Sequence, residues 1–278
     1  MDGTSFAMFY QDLWGKCLGF AKKAEGDISE IISMEKEFTG HEKTSKLAVR
    51  DLDIEKHIKS TAECIVERLT HKASEVFAPK NGRLQISFDE CWDKVRYVLC
   101  VDSSGNTDWS LFSPLEIWKQ LEAEYGGKKG ITKACMQTAK EIAEMFCVPN
   151  DRSVETKSGM AILSIPVRAG DYYYKEGGKG KSLFFGEKMR VTDCLLYLES
   201  FAQWAGLAGV LGANGQWESR IGWPLESIVV SREKFEFGQH ITMTTFANKF
   251  EFRFSVEATE KLQFFLREFY FEEEGLVE

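Results

Sequence analysis

Residues 241–271 read ITMTTFANKFEFRFSVEATEKLQFFLREFYF, and the spacing of their apolar side chains changes half-way. Ile241 to Thr245 and Phe250 to Phe254 alternate with period two, as strands with one buried face do. Ala247-Asn248-Lys249 joins them, giving an antiparallel hairpin. After Ser255, residues Leu262, Phe265, Leu266 and Phe269 recur at helical spacing. The hairpin and its helix predict an α+β fold, with antiparallel hairpins packed on helices in the C-terminal half.

Upstream, Ser227–Val230 and Phe235–Phe237 read as short strands, and Met160–Val167 as a longer one. Asp171–Tyr174 and Leu183–Phe185 flank the turn 176–181, EGGKGK, as a long hairpin. Thr192 or Asp193 is expected to cap a helix reaching about Leu211. Its small residues, among them Ala202, Ala205, Gly206 and Gly209, allow close packing by neighbours.

The N-terminal half is mainly helical. Ile54, Ile58, Ala62, Ile65, Val66, Leu69, Ala73 and Phe77 fall on one side of a helix from about Asp53, which the segment 78–82, APKNG, stops. Ser5–Ala24 is apolar at helical spacing, and Asp27 with Glu30 reads as a capping box for a separate helix to about Phe38. Thr39–Leu52 reads as a polar connection. Ser87 with Glu90, and Ser113-Pro114 with Glu116, start two further helices. Ile131, Cys135, Thr138, Ile142 and Phe146 mark another, stopped at Pro149. Texture changes in the 150s, which divides the chain into a mainly helical region 1–155 and an α+β region 156–278, as one domain or two.

The chain has 278 residues, 44% of them hydrophobic, 13% aromatic and 28% charged, a composition that builds a sizeable core and excludes disorder. Its formal charge of −8 lies largely on the acidic tail 268–278, which reads as solvated. Polyanion binding over the whole surface is therefore disfavoured. Seven Cys without a CxxC motif, together with no apparent signal peptide, indicate reduced thiols and a cytoplasmic protein. The apolar stretch 194–212 is interrupted by Glu199 and Gln203, so it reads as a buried helix and not a membrane span.

No complete catalytic, metal or nucleotide motif occurs, and neither a cofactor nor a metal is expected. Gly180-Lys181-Ser182 resembles a P-loop ending, but Lys175 stands where the loop needs its first Gly, and a β-type run follows the Ser. His57, Cys64 and His71 recur every seven residues along one helix. Two such positions lie about 10.5 Å apart, too far for one zinc. Glu155 and Lys157 form an E-x-K, yet Asp151 is too close in sequence to sit on an adjacent strand. A triad assembled from distant segments is not excluded by sequence. Tyr172, Tyr173, Tyr174, Lys175, Lys179 and Lys181, with Phe184, Phe185, Lys188 and Arg190 nearby, form an aromatic-basic stretch. Such residues anchor protein interfaces. The alternatives are an ordinary hairpin with no partner, and single-stranded nucleic acid held by stacking and phosphate contacts.

The closing stretch 241–271 resembles the ending of some phage- and plasmid-borne proteins. The acidic, aromatic-rich, motif-free texture of the whole chain is similar to phage accessory proteins that block bacterial defences, including inhibitors of the Gabija nuclease complex. That resemblance implies a non-enzymatic homo-oligomer that encloses a host defence nuclease complex and prevents its DNA binding or cleavage. The expectation is thus a protein-binding inhibitor acting by steric blockade, with Tyr172 to Lys181 contacting the partner.

Overall fold

A computed structural model of the chain describes residues 2–39, 54–80, 82–149, 154–173, 179–221 and 228–271. The chain is α+β, with a helical N-terminal half and antiparallel sheets beyond it. Its contacts divide it into two compact units, one of residues 1–77 and 85–127 and the other of residues 78–84 and 128–278.

The first unit is helical. Helices α1 (Gly3–Thr39), α2 (Ile54–Phe77) and α4 (Pro114–Tyr125) pack on one another, and the short α3 (Phe88–Lys94) runs on into a π-helical turn, Val95–Leu99. The apolar stripe of α2 buries Ala62, Ile65, Val66, Leu69 and Ala73. Large rings fill the remaining space: Trp14 meets Phe112 at 4.6 Å between centroids, and Phe77 meets Trp118 at 5.4 Å. The caps read from sequence are in place, since the Ser87 and Ser113 hydroxyls accept from the backbone N–H groups of Glu90 and Glu116. Ser113 also donates to Gln11 Oε1 at 3.0 Å, fixing the start of α4 to α1.

Helix α1 differs from expectation because it runs through Asp27 without a break. Its N-cap is Asp2, whose two carboxylate oxygens accept from the Ser5 N–H and hydroxyl, each at 2.9 Å. A good cap residue inside a long helix costs only its weak propensity, and Gly26 about 1 kcal/mol, too little to end it. The Thr39–Leu52 connection falls almost wholly outside the described residues.

The second unit is built on a five-stranded antiparallel sheet, ordered β1-β2-β8-β7-β6. These strands are β1 (Thr156–Lys157), β2 (Met160–Pro166), β6 (Lys234–Phe237), β7 (Ile241–Thr245) and β8 (Lys249–Phe254). The hairpin of 241–254 forms as its alternation predicts, with Ile241 opposite Phe254 and Thr245 opposite Phe250. Phe250, Phe252 and Phe254 point into the core, where Phe146, just past α5 (Lys128–Met145), meets Phe252 edge-on at 5.3 Å. Helix α6 (Phe185–Ala205) packs with α5, α7 (Ala213–Ile221) and α8 (Val256–Leu266). It buries Val191, Cys194, Leu195, Leu198, Phe201 and Ala202, whereas Gly206, Ala208 and Gly209, expected to be small packing residues of the helix, lie beyond its end and are exposed.

Helix α6 needs correction at both ends. Helix α6 begins at Phe185, not near Asp193, and ends at Ala205, where Gly206 takes a left-handed conformation at φ +70°. No side chain caps its start, so packing of Val191 and the buried Lys188 holds the first turns. Gly206 is the stop signal, since only Gly adopts that geometry without strain. Helix α5 belongs to the second unit, so the change of texture near 155 falls inside that unit.

Candidate protein-binding surface

A second, three-stranded sheet in this unit carries the aromatic-basic stretch. Strands β3 (Ala169–Tyr173) and β4 (Lys179–Leu183) pair antiparallel, and β5 (Ile228–Val229) pairs with the other edge of β4. The register sets Tyr173 opposite Lys179, Tyr172 opposite Gly180 and Asp171 opposite Lys181. Four of the six residues singled out from sequence therefore lie on adjacent strands. Tyr174 and Lys175 lie outside the described residues.

The structure brings Phe184 and Phe185, which the sequence reading set beside this stretch, to the fore and adds Met189. Phe184 leaves β4 in an extended conformation, φ −63° and ψ 149°, and the helix starts at the next residue. The sharp change of direction leaves Phe184 59% and Phe185 67% exposed, with Phe184 over Gly170 of β3. Met189, one turn further along α6 and on the same side as Phe185, is also exposed. Phe184 and Phe185 are consecutive and Met189 lies one turn on from Phe185, so three exposed apolar residues stand at the foot of the hairpin.

Cations are fewer here than the sequence indicated. Lys188 is buried at 6% exposure, and Arg190 donates to the Pro166 carbonyl at 3.0 Å while lying 3.8 Å from Glu187. Both are committed to holding the helix in place, which removes two of the charges a phosphate backbone would need.

The groups that looked like chemistry stand apart from one another. Gly180, Lys181 and Ser182 lie within the central strand of the three, where the ladder engages the backbone, so they make no phosphate loop even though a helix follows closely. His57, Cys64 and His71 are exposed along α2, and among the described residues no cluster of three metal-ligating side chains occurs.

The densest titratable group lies beside α6. Arg83 donates to Asp193 at 3.2 Å and lies over the Tyr197 ring at 5.7 Å. Burial, then the charge of Glu141, pushes the Tyr197 hydroxyl up, and burial followed by Glu144 raises the Glu141 carboxyl. The adjoining cavity, about 360 Å³, includes Glu199, which accepts from the Asn214 N–H at 2.7 Å. Asp193 and Glu199 are thus occupied in fixing backbone and cation, and the arrangement clips residues 78–84 to α6.

In the first unit a cavity of about 230 Å³ holds Cys91, whose thiol burial pushes up to about 11, so it is no thiolate at neutral pH. Comparison with protein-family models, with curated proteins and with solved structures gives no match.

Proposed function

We propose that this chain works by binding another protein, anchored by Phe184, Phe185 and Met189 and flanked by Tyr172, Tyr173, Lys179 and Lys181. One observation carries the reading: two consecutive phenylalanines are exposed to solvent at a strand-to-helix corner. Covering a Phe side chain is worth about 1.5–3 kcal/mol. A contiguous apolar patch left uncovered is characteristic of an interaction site, and aromatic residues dominate interface hot spots. Placement at the start of a packed helix fixes the rings in advance, which lowers the entropy lost on docking.

The finer reading, supported by the resemblance in sequence, is a phage-type inhibitor that acts in the bacterial cytoplasm by sterically blocking a defence nuclease complex. Its test is addition of the purified chain to a reconstituted Gabija complex, scoring co-elution and DNA cleavage. Wild type should co-elute and suppress cleavage, and Phe184→Ser/Phe185→Ser should do neither while keeping its unfolding midpoint. Failure of wild type to bind or inhibit removes the defence-complex reading. Unaltered binding by the double variant removes the patch. A salt-sensitive shift of labelled single-stranded DNA, lost in Lys179→Glu/Lys181→Glu, would favour nucleic acid instead.

A further inference from the structure

Helix α1 carries a second apolar stripe, one its own unit does not bury. Its inward side is Ala7 and Trp14, both buried, with Gln11, Leu18 and Ala21 half-buried around them, and Phe6, Tyr10 and Cys17 half-buried along the flank towards the open side. Turned away from these are Phe9, Leu13, Phe20 and Met34, all exposed, with Phe20 at 74% the most open large apolar residue of α1. From Glu25 to Glu37 every described side chain of α1 is exposed except the half-buried Ile28. A single helix face of this kind is unstable in water without a partner.

The spacing says what kind of partner. With Tyr10, Cys17, Ala24 and Ile31 as position a of a heptad, position d is Phe6, Leu13, Phe20, Asp27 and Met34. That is a sustained seam for another long helix. Past Phe9, position g then reads Lys16, Lys23, Glu30 and Glu37, basic in the first half and acidic in the second, and all four are exposed.

We infer that α1 pairs antiparallel with α1 of a second copy of this chain, with its two-fold axis between residues 25 and 26. In that register Phe20 meets Ile31 and Cys17 meets Met34, while Lys16 faces Glu37 and Lys23 faces Glu30, each twice by symmetry. Asp27, the polar member of the seam, sits opposite the small Ala24 and beside Lys23 of the other chain, a break that fixes register. Sliding by one heptad to overlap more of the helix sets Lys23 against Lys23. Parallel pairing sets Lys16 and Lys23 across from Ala21 and Ile28 of the other helix, where no charge answers them. The overlap of residues 12–39 spans about 42 Å of helix. The pairing uses none of the residues of the partner-binding patch, so either proposal can fail alone.

Sedimentation equilibrium of the full chain across the micromolar range tests it. Wild type should be a dimer, and Phe20→Glu should weaken the dimer at least about tenfold, the factor that loss of one large apolar contact carries. Lys23→Glu should weaken it too, and Lys23→Glu/Glu30→Lys should restore it, because the exchanged charges again face each other. These side chains are exposed, so an unchanged circular dichroism spectrum should accompany each variant, and any fall in unfolding midpoint should be the dimer's share alone, vanishing at protein concentrations where wild type also dissociates. A monomeric wild type overturns the inference, as does a dimer indifferent to Phe20→Glu. Failure of the double exchange to rescue Lys23→Glu overturns the antiparallel register.

Discussion

Gly209 and Gly238 touch backbone to backbone inside the second unit, and a methyl on either has nowhere to go. A Cβ on Gly209 would lie 2.9 Å from the Gly238 Cα, and one on Gly238 would lie 2.7 Å from the Gly209 Cα. Gly238 also turns the β6–β7 hairpin with φ +58°, whereas Gly206 has φ +70° and open space around it. Gly206→Ala therefore isolates the cost of the left-handed conformation, roughly 1–2 kcal/mol, less about 0.4–1 kcal/mol gained by restricting the unfolded chain. Gly209→Ala isolates the collision, in which two exposed backbone segments must part, with a strain on the order of the 1–3 kcal/mol that overpacking costs. Gly238→Ala combines the two, at about 1–5 kcal/mol. Urea unfolding of the three variants beside wild type measures each value from the shift in midpoint at constant slope. Equal losses for Gly206→Ala and Gly238→Ala would show that the backbone contact exerts no constraint, and the reasoning would fall.

Thr259 is buried on α8 and its Oγ1 accepts from the Ala161 N–H of β2 at 2.8 Å. Thr259→Val keeps the shape and strands that donor, so unfolding free energy should drop by about 1–3 kcal/mol. Hydrogen bonds from Ser5 hold the Asp2 carboxyl below its usual range, and those from Ser110 do the same for Asp108. The stability these add is present above the unfolded value near pH 4 and is lost as pH falls through the depressed native ones, which an acid titration of the fold detects. Burial raises the thiols of Cys91, Cys100 and Cys135 to about 11, so stability should fall as pH climbs above the unfolded value near 9. At neutral pH a thiol reagent should label exposed Cys64 and Cys147 promptly, and buried Cys100, Cys135 and Cys194 only on unfolding.

What sequence made legible was local. Ser87, Ser113 and Ser255 start helices because a hydroxyl serves the N–H three residues on, a contact fixed within one turn. Strands β7 and β8 show their alternation because one face is buried and the other is not. Helix α6 hid its start because Phe184 caps nothing and Leu183-Phe184-Phe185 has strand character, so only packing further along decides where the turn falls. Asp27 misled for the opposite reason, a sound local signal overruled by a helix already formed. In the candidate surface, residue type drew attention to the hairpin of β3 and β4, which the structure forms. Exposure is set by the whole fold, though, and it turned Phe184 and Phe185 outward while drawing Lys188 inside.

The principal sheet seats β8 between β2 and β7, joining residues 160–166 to 249–254 across more than half of the second unit. During synthesis, β2 must therefore wait on the ribosome for its neighbour while α6 and α7 emerge. The phenylalanine-rich face of β8 closes the layer only once residue 254 has cleared the exit tunnel. A stalled or prematurely terminated product lacking that strand would present an unpaired β2 edge to other nascent chains, which makes such fragments natural clients for chaperones and proteases.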